Sequence, residues 1–320
     1  MGDGPPTSRH LGLDLGGTNI KWVVVERDAE EWHVLDRGQV ATPMPKGPDD
    51  VVPRLAAVGA DAIERSPGVT SVGVGVPGLY DPAAGATRFL VNFPGGWPGV
   101  PVAGPVGAAL GLPTTLINDA RAFGLAELRL GAARGADSMV GLTLGTGIGG
   151  VIAIDGRVHL GHDGTGGELG HQTLEPDGPP CGCGNQGCLE AFARADRIAA
   201  ACGTATAEEA MAAARAGEPK AVAGLRSVAR YLGIGIANMI VVVTPDVVVI
   251  GGGISAAFDL LRGPIEAELH ERVYTTALDR VRLVRAELGT WAGAIGAALH
   301  GAETADQHDR AAAHERVDAR

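Results

Sequence analysis

The stretch GLDLGGTNIKWVVVE (residues 12–26) has a near-copy 129 residues later, GLTLGTGIGGVIAID (residues 141–155), and the two align without a gap. Each reads as an apolar strand, a glycine-rich turn, a second strand and an acidic residue. Consecutive glycines allow the positive φ angles that a tight hairpin turn requires. The same hairpin occurring twice predicts two related domains, each opening with a glycine turn that faces a common cleft. A chain of 320 residues is long enough to bury two medium cores.

The rest of the chain alternates strand and helix signals, which predicts an α/β fold. Residues 11–15 and 20–26 are the first two strands. Residues 51–65 carry apolar positions at helical spacing. Strands follow at 69–76, ending at Pro77-Gly78, and at 114–117, just before Asn118-Asp119. Residues 120–130 read as a helix, 139–144 and 151–154 as strands, and 221–240 as a long amphipathic helix. Residues 247–250 form a buried strand that runs into three glycines at 251–253. A helix at 256–272, a strand at 281–284 and a closing helix at 291–300 complete the pattern. The last twenty or so residues are Ala-rich and charged, and are expected to be loosely attached.

Two glycine patterns invite a dinucleotide reading and do not support it. GVGVPG (residues 73–78) and GTGIGG (145–150) match G-x-G-x-x-G. That motif needs a strand before it and a helix after it. A β-branched run follows Gly150, and Pro77 spoils the other match. Such turns still bind phosphate, because successive backbone N–H groups form a concave nest. The net charge of −11 argues against nucleic acid or an anionic membrane as the main partner. No apolar run reaches 18 residues, and residues 1–10 are too polar for a signal peptide. The expected compartment is the cytoplasm, where disulfides are rare and clustered cysteines more often bind metal.

Six motifs then occur in order: DLGGTNIK (14–21), GVPG (75–78), NDA (118–120), LGTGIGG (144–150), GGELGH (166–171) and CGCGNQGCLE (181–190). Together they resemble the ROK family, which joins bacterial sugar kinases, prominently zinc-containing ATP-dependent glucokinases, with sugar-responsive repressors. The resemblance spans residues 11–299. It implies the two-domain actin/hexokinase/Hsp70-like fold, a duplicated ribonuclease H-like architecture with a cleft between the domains. The expected division is a smaller domain over 1–119 completed by a closing helix at 291–305, a larger one over 120–290, and a flexible tail at 306–320.

His171, Cys181, Cys183 and Cys188 form H-x9-C-x-C-x4-C. Three soft thiolates and an imidazole in a short loop suit tetrahedral Zn²⁺, and the resemblance assigns these four positions to a structural zinc. Four protein ligands leave no open position for water, so the metal's task is to fix the loop. Cys202 reads as a core thiol.

The implied chemistry is phosphoryl transfer from ATP, with Mg²⁺, to a sugar hydroxyl. The resemblance makes Asp119 the general base, although Asn118-Asp119 alone reads as a helix cap. Asp14 is expected to orient Mg²⁺ and its waters. Gly16, Gly17, Thr18 and Asn19, with Gly145, Thr146 and Gly147, are expected to hold the phosphates, and Gly252 and Gly253 the adenosine. Asn92, Asn118, Asp119, Glu168, His171 and Glu190 are the expected sugar ligands, His171 using one ring nitrogen for metal and the other for sugar. The role of Lys21 is open.

Two departures bear on the substrate. Arg121 stands where the family commonly has Asn, and the segments at 93–99 and 161–171 are unusual. Glucose phosphorylated at its 6-hydroxyl is the expected reaction. The alternatives are fructose, mannose, an N-acetylhexosamine or amino-glucose, a polyphosphate donor, and a non-enzymatic regulator. Only thirteen residues precede Asp14, too few for a winged helix-turn-helix, so a repressor is not expected. The resemblance also implies a homodimer or homotetramer.

Overall fold

The computed structural model describes residues 7–29 and 31–318, with side chains as far as residue 310 except 309. Residues 1–6, part of the polar start read above, and residues 319–320, the end of the expected tail, lie outside the described residues. The chain divides into two compact units: Met1–Leu130 with Leu160–Thr165 and Thr290–Arg320, and Gly131–His159 with Gly166–Gly289.

Unit 1 runs through β1 (Ser8–Leu15), β2 (Asn19–Asp28), β3 (Glu31–Ala41), α1 (Pro48–Arg65), β4 (Val69–Val76), β5 (Gly78–Asp81), β6 (Ala86–Leu90), α2 (Ala103–Leu110), β7 (Thr114–Asn118) and α3 (Asp119–Leu130). Unit 2 carries β8 (Met139–Leu144), β9 (Ile148–Ile154), β10 (Arg157–Val158), α4 (Leu189–Ala193), α5 (Ala195–Cys202), α6 (Ala207–Arg215), α7 (Pro219–Val243), β11 (Val247–Gly251), α8 (Phe258–Arg272) and β12 (Arg282–Arg285). The chain then returns to unit 1 with α9 (Ala292–Asp318).

Both units build the same five-stranded sheet, ordered β3-β2-β1-β4-β7 in one and β10-β9-β8-β11-β12 in the other. In each, the first three strands in sequence pair antiparallel, and the later two add in parallel. The duplication read from two hairpins therefore extends to whole sheets. The gapless alignment holds for the first strand of each hairpin only. Leu15 pairs with Ile20, whereas its counterpart Leu144 pairs with Ile148. The second turn is shorter by one residue, and β9 is displaced along the alignment by the same amount.

Strand alternation explains the residue order in β1. Leu11, Leu13 and Leu15 are fully buried and join Val51, Leu55 and Val58 of α1 in the unit 1 core. Gly12 and Asp14 take the opposite face, beneath α9. A Cβ on Gly12 would lie 1.9 Å from Ala294 O, and one on Gly73 of β4 would lie 1.8 Å from Ala297 O. The backbone of α9 thus rests directly on the sheet at these two glycines. Farther along, Arg27–Asp306 and Arg129–Glu303 ion pairs, each 2.7 Å, tie α9 to β2 and α3. The closing helix continues well past the expected residue 305, because the alanines and charged residues that follow are good helix formers. Helix α3 packs against α9 and so counts with unit 1.

The unit 2 core gathers around α7, whose buried Leu225, Val228, Ala229, Leu232, Ile236 and Ile240 recur at helical spacing. It packs against α4, α5, α6 and α8. By length and composition α7 could cross a membrane, but half of its most apolar window is buried inside the unit.

Candidate functional site

Each unit gathers its own set of polar groups at the turn of its hairpin. In unit 1 the turn after β1 closes on itself, Gly16 N–H donating to Asn19 O at 3.0 Å. Thr42, just past β3, fixes it from outside: its Oγ1 donates to Gly16 O at 2.7 Å and its N–H to Thr18 O at 2.9 Å. Asp14 faces Lys21 across the β1–β2 pairing and lies under the first turn of α9, where a Cβ on Gly293 would be 2.9 Å from its Oδ2. Burial pushes the Asp14 carboxyl up to about 6, and the Lys21 charge pulls it the other way.

Asn92 and Lys46 border the same turn. A Cβ on Gly17 would stand 3.5 Å from Lys46 Nζ and 3.7 Å from Asn92 Cβ. Lys46 Nζ donates to Asn92 O at 3.4 Å, and Asn92 holds a left-handed φ of 66°. Sequence reasoning missed Lys46. Its signal was its setting, Met44-Pro45-Lys46-Gly47-Pro48, in a chain very poor in lysine.

The β7–α3 junction shows which side chain caps the helix. Asn118 is buried. Its Oδ1 accepts from Ala120 N–H at 2.9 Å and Arg121 N–H at 3.2 Å, and its Nδ2 donates to Gly78 O at 3.0 Å. Asn118 therefore caps α3 and ties it to β5. Asp119, at the helix start, is exposed, and one of its oxygens also accepts from Ala120 N–H at 2.8 Å.

In unit 2 a continuous chain of groups leads from Glu168 to the β8–β9 turn. Glu168 Oε2 is 3.8 Å from His171 Nε2. His171 Nδ1 is 3.6 Å from Cys181 Sγ, and that sulfur is 3.6 Å from Glu190 Oε1. Glu190 Oε2 accepts from Ile148 N–H at 2.8 Å, so closely that a Cβ on Gly147 would lie 2.6 Å from it. Ala195 N–H donates to Gly145 O at 2.9 Å on the other shoulder of the turn. Glu190, expected as a sugar ligand, grips the β8–β9 turn. The glycines after β11 adjoin that turn. Gly252 has a φ of 79°, and a Cβ there would be 2.2 Å from Leu144 O. Among the described residues, nothing beyond the chain neighbours lies within 4 Å of a Cβ built on Gly145 or Gly253.

The ligand atoms of His171, Cys181, Cys183 and Cys188 all lie within 4.8 Å of one another. Cys183 and Cys188 sulfurs are 3.8 Å apart, far from disulfide bonding. Two thiolates about 2.3 Å from one tetrahedral ion stand about 3.8 Å apart, and a thiolate and an imidazole nitrogen about 3.6 Å. The observed S···S and S···N separations match both edges. Burial pushes the Cys181 thiol up to about 12, and burial also raises Cys188, while a backbone hydrogen bond at Asn185 lowers Cys183. A bound cation is the group that would hold all three as thiolates. Cys202 is buried and donates to Ala221 O at 3.4 Å, a core thiol as expected.

The model of the ROK family matches residues 10–302. The chain belongs to the ROK family. It is 36% identical over 314 residues to the glucokinase of Thermotoga maritima, covering 92% of this chain and 97% of that one. Among solved structures, the ROK hexokinase from Thermus thermophilus superposes with a TM-score of 0.80 at 38% identity, covering 93% of this chain and 99% of that one. A ROK family glucokinase from Streptomyces griseus, in complex with glucose and AMPPNP, gives 0.76 at 32% identity, covering 92% of this chain and all of that one. The duplicated sheet is thus the actin-like sugar-kinase fold expected from the motifs, carried here by a ROK protein.

Two outcomes are expected from this geometry. The folded state holds the Asp14 proton more tightly than the unfolded chain, so stability falls as pH rises from about 4 to about 6, and the loss is complete above that. Asp14→Asn should therefore raise the unfolding free energy of nucleotide- and Mg²⁺-free protein at pH 8, read from urea titration, by on the order of 1–3 kcal/mol, and the gain should vanish near pH 4. A variant less stable than the parent at pH 8 contradicts this. Metal analysis should find about one zinc per chain, and Cys183→Ser should lower that content.

Proposed function

We propose that this ROK protein is an ATP- and Mg²⁺-dependent glucokinase that phosphorylates the 6-hydroxyl of glucose, acting in the cytoplasm as a homodimer or homotetramer. The observation that carries the catalytic part is the division of labour at the β7–α3 junction. Asn118 does the capping, so the exposed Asp119 carboxylate serves as the base for the sugar hydroxyl. A positioned base is worth about 10²- to 10⁴-fold. The primary alcohol is the least hindered hydroxyl and rotates most easily toward an in-line phosphate.

Asn92, Glu168, His171 and Glu190 complete the proposed sugar contacts. The metal cluster supports them: with Cys181 held as a thiolate, its S–H no longer faces Glu190 Oε1, and that oxygen can accept from a hydroxyl. The His171 ring offers Nδ1 to the sulfur side and Nε2 to the Glu168 side. The turns 16–19 and 145–147, each closed by an internal hydrogen bond from Gly16 or Gly145, hold the phosphates, Asp14 orients the waters of Mg²⁺, and Gly252 and Gly253 receive the adenosine. Mg²⁺, when bound, neutralises charge on the phosphate oxygens.

The experiment is a coupled ADP-release assay across glucose, mannose, fructose and N-acetylated hexosamines, with polyphosphate compared as donor. Glucose with ATP should lead, with mannose slower by about ten- to a hundred-fold, as expected for one mispaired hydroxyl. Asp119→Asn should lower kcat by about 10²-fold or more while sugar still binds. Near-normal turnover would demote Asp119 to a structural residue, and a lead for another hexose would reassign the substrate.

A further inference from the structure

Arg121 follows Asn118-Asp119-Ala120, and nothing in the proposed chemistry uses it. Its side chain is 1% exposed, the largest fully buried side chain among the described residues. A guanidinium keeps its charge and brings five donors, so burying it is costly unless those donors are engaged. Two are engaged on either side of a junction. Nη1 donates to Asn118 Oδ1 at 2.9 Å, the oxygen that caps α3, and Nη2 donates to Thr165 O at 3.1 Å.

Thr165 ends the segment Leu160–Thr165, which belongs to unit 1 and leads through Gly166 and Gly167 to Glu168. The segment is held a second time. Asp163 Oδ1 accepts from Thr165 Oγ1 at 2.6 Å, and Asp163 Oδ2 accepts from Arg88 Nη1 at 3.1 Å. Arg88 of β6 also pairs with Asp81 of β5 at 3.5 Å. The circuit returns through β5 to Gly78, which accepts from Asn118 Nδ2. Tyr80 of β5 lies alongside: a Cβ on Gly164 would be 3.5 Å from its Cζ. Burial holds that phenol above its ordinary range, and the charge of Arg121 acts in the opposite direction.

We propose that Arg121 is a positioning residue that sets sugar selectivity, by locking the segment leading into Glu168 to the cap of the helix that bears Asp119. This rests on the reading of Asp119 as base and Glu168 as sugar ligand. A reacting hydroxyl and the groups that identify it must be held together to a fraction of an ångström. Arg121 joins the α3 cap to the end of the segment 160–165 with one rigid planar fork. Asn is too short for that span, and Lys reaches with a single point donor.

The test is steady-state kinetics of the full chain carrying Arg121→Asn, Arg121→Lys or Asp163→Asn, with thermal unfolding of each and Asp119→Asn run in parallel. Arg121→Asn should raise KM for glucose about tenfold or more, narrow the glucose-to-mannose ratio of kcat/KM, and leave KM for ATP within about twofold. Arg121→Lys keeps charge and bulk, and should show the same direction should the Asn variant fail to fold. Asp163→Asn, at a partly exposed position, should give a smaller shift that is less than additive with Arg121→Lys, because both act on one segment. Folded variants with unchanged glucose KM and selectivity overturn the proposal. So does a uniform loss of sugar and ATP parameters with a lowered Tm, which marks a merely structural role. An Asp119→Asn enzyme with normal turnover overturns the base reading alone, and the split between sugar and ATP KM still decides on Arg121.

Discussion

Cys188 is both the last of the four clustered ligands and the residue at the N-terminal cap of α4. Two residues later Glu190 holds Ile148 N–H, and just past α4 Ala195 N–H holds Gly145 O. The β8–β9 turn is therefore gripped on both shoulders by a short helix whose start is fixed at the cluster. The loop before it is rich in Gly, Pro and Asn and has little apolar surface of its own to order it. A tetrahedral ion at His171, Cys181, Cys183 and Cys188 would supply that order for Glu168, His171 and Glu190 together with the β8–β9 turn.

Unit 1 reaches its arrangement by backbone packing instead. The helix α9 lies directly on β1 and β4 because Gly12 and Gly73 leave it room. Its first turn then covers Asp14, and that cover is what raises the carboxyl's affinity for a proton. A buried carboxylate costs stability when it ionises, and Mg²⁺ chemistry would use the charge that the fold disfavours. At the β7–α3 junction, the buried Asn118 caps α3, and Asp119 beside it is exposed.

What could be read from the sequence was local. The glycine turns, the duplicated hairpin, the buried strand before residues 251–253 and the His-Cys spacing all lie within a few residues of their partners. The edge strand β3 was missed because it alternates partly exposed with exposed residues and buries no apolar face of its own. The short helices α2 and α4–α6 fall in Ala- and Gly-rich stretches too brief to show a period. The grip of Glu190 on Ile148 spans 42 residues, and no local pattern signals it. Arg121 was legible as unusual but not as buried, since arginine is seldom fully buried. The one-residue shortening of the second turn was hidden because glycines align with glycines whatever the register.

The proposed reaction moves the terminal phosphate of ATP to the primary alcohol of glucose. Phosphorus NMR of the product formed from glucose, ATP and Mg²⁺ tests that most directly, because coupling to the sugar protons identifies the esterified carbon. The account predicts glucose 6-phosphate and ADP. Glucose 1-phosphate, or no phosphate ester under conditions where the protein is folded and zinc-loaded, would contradict it.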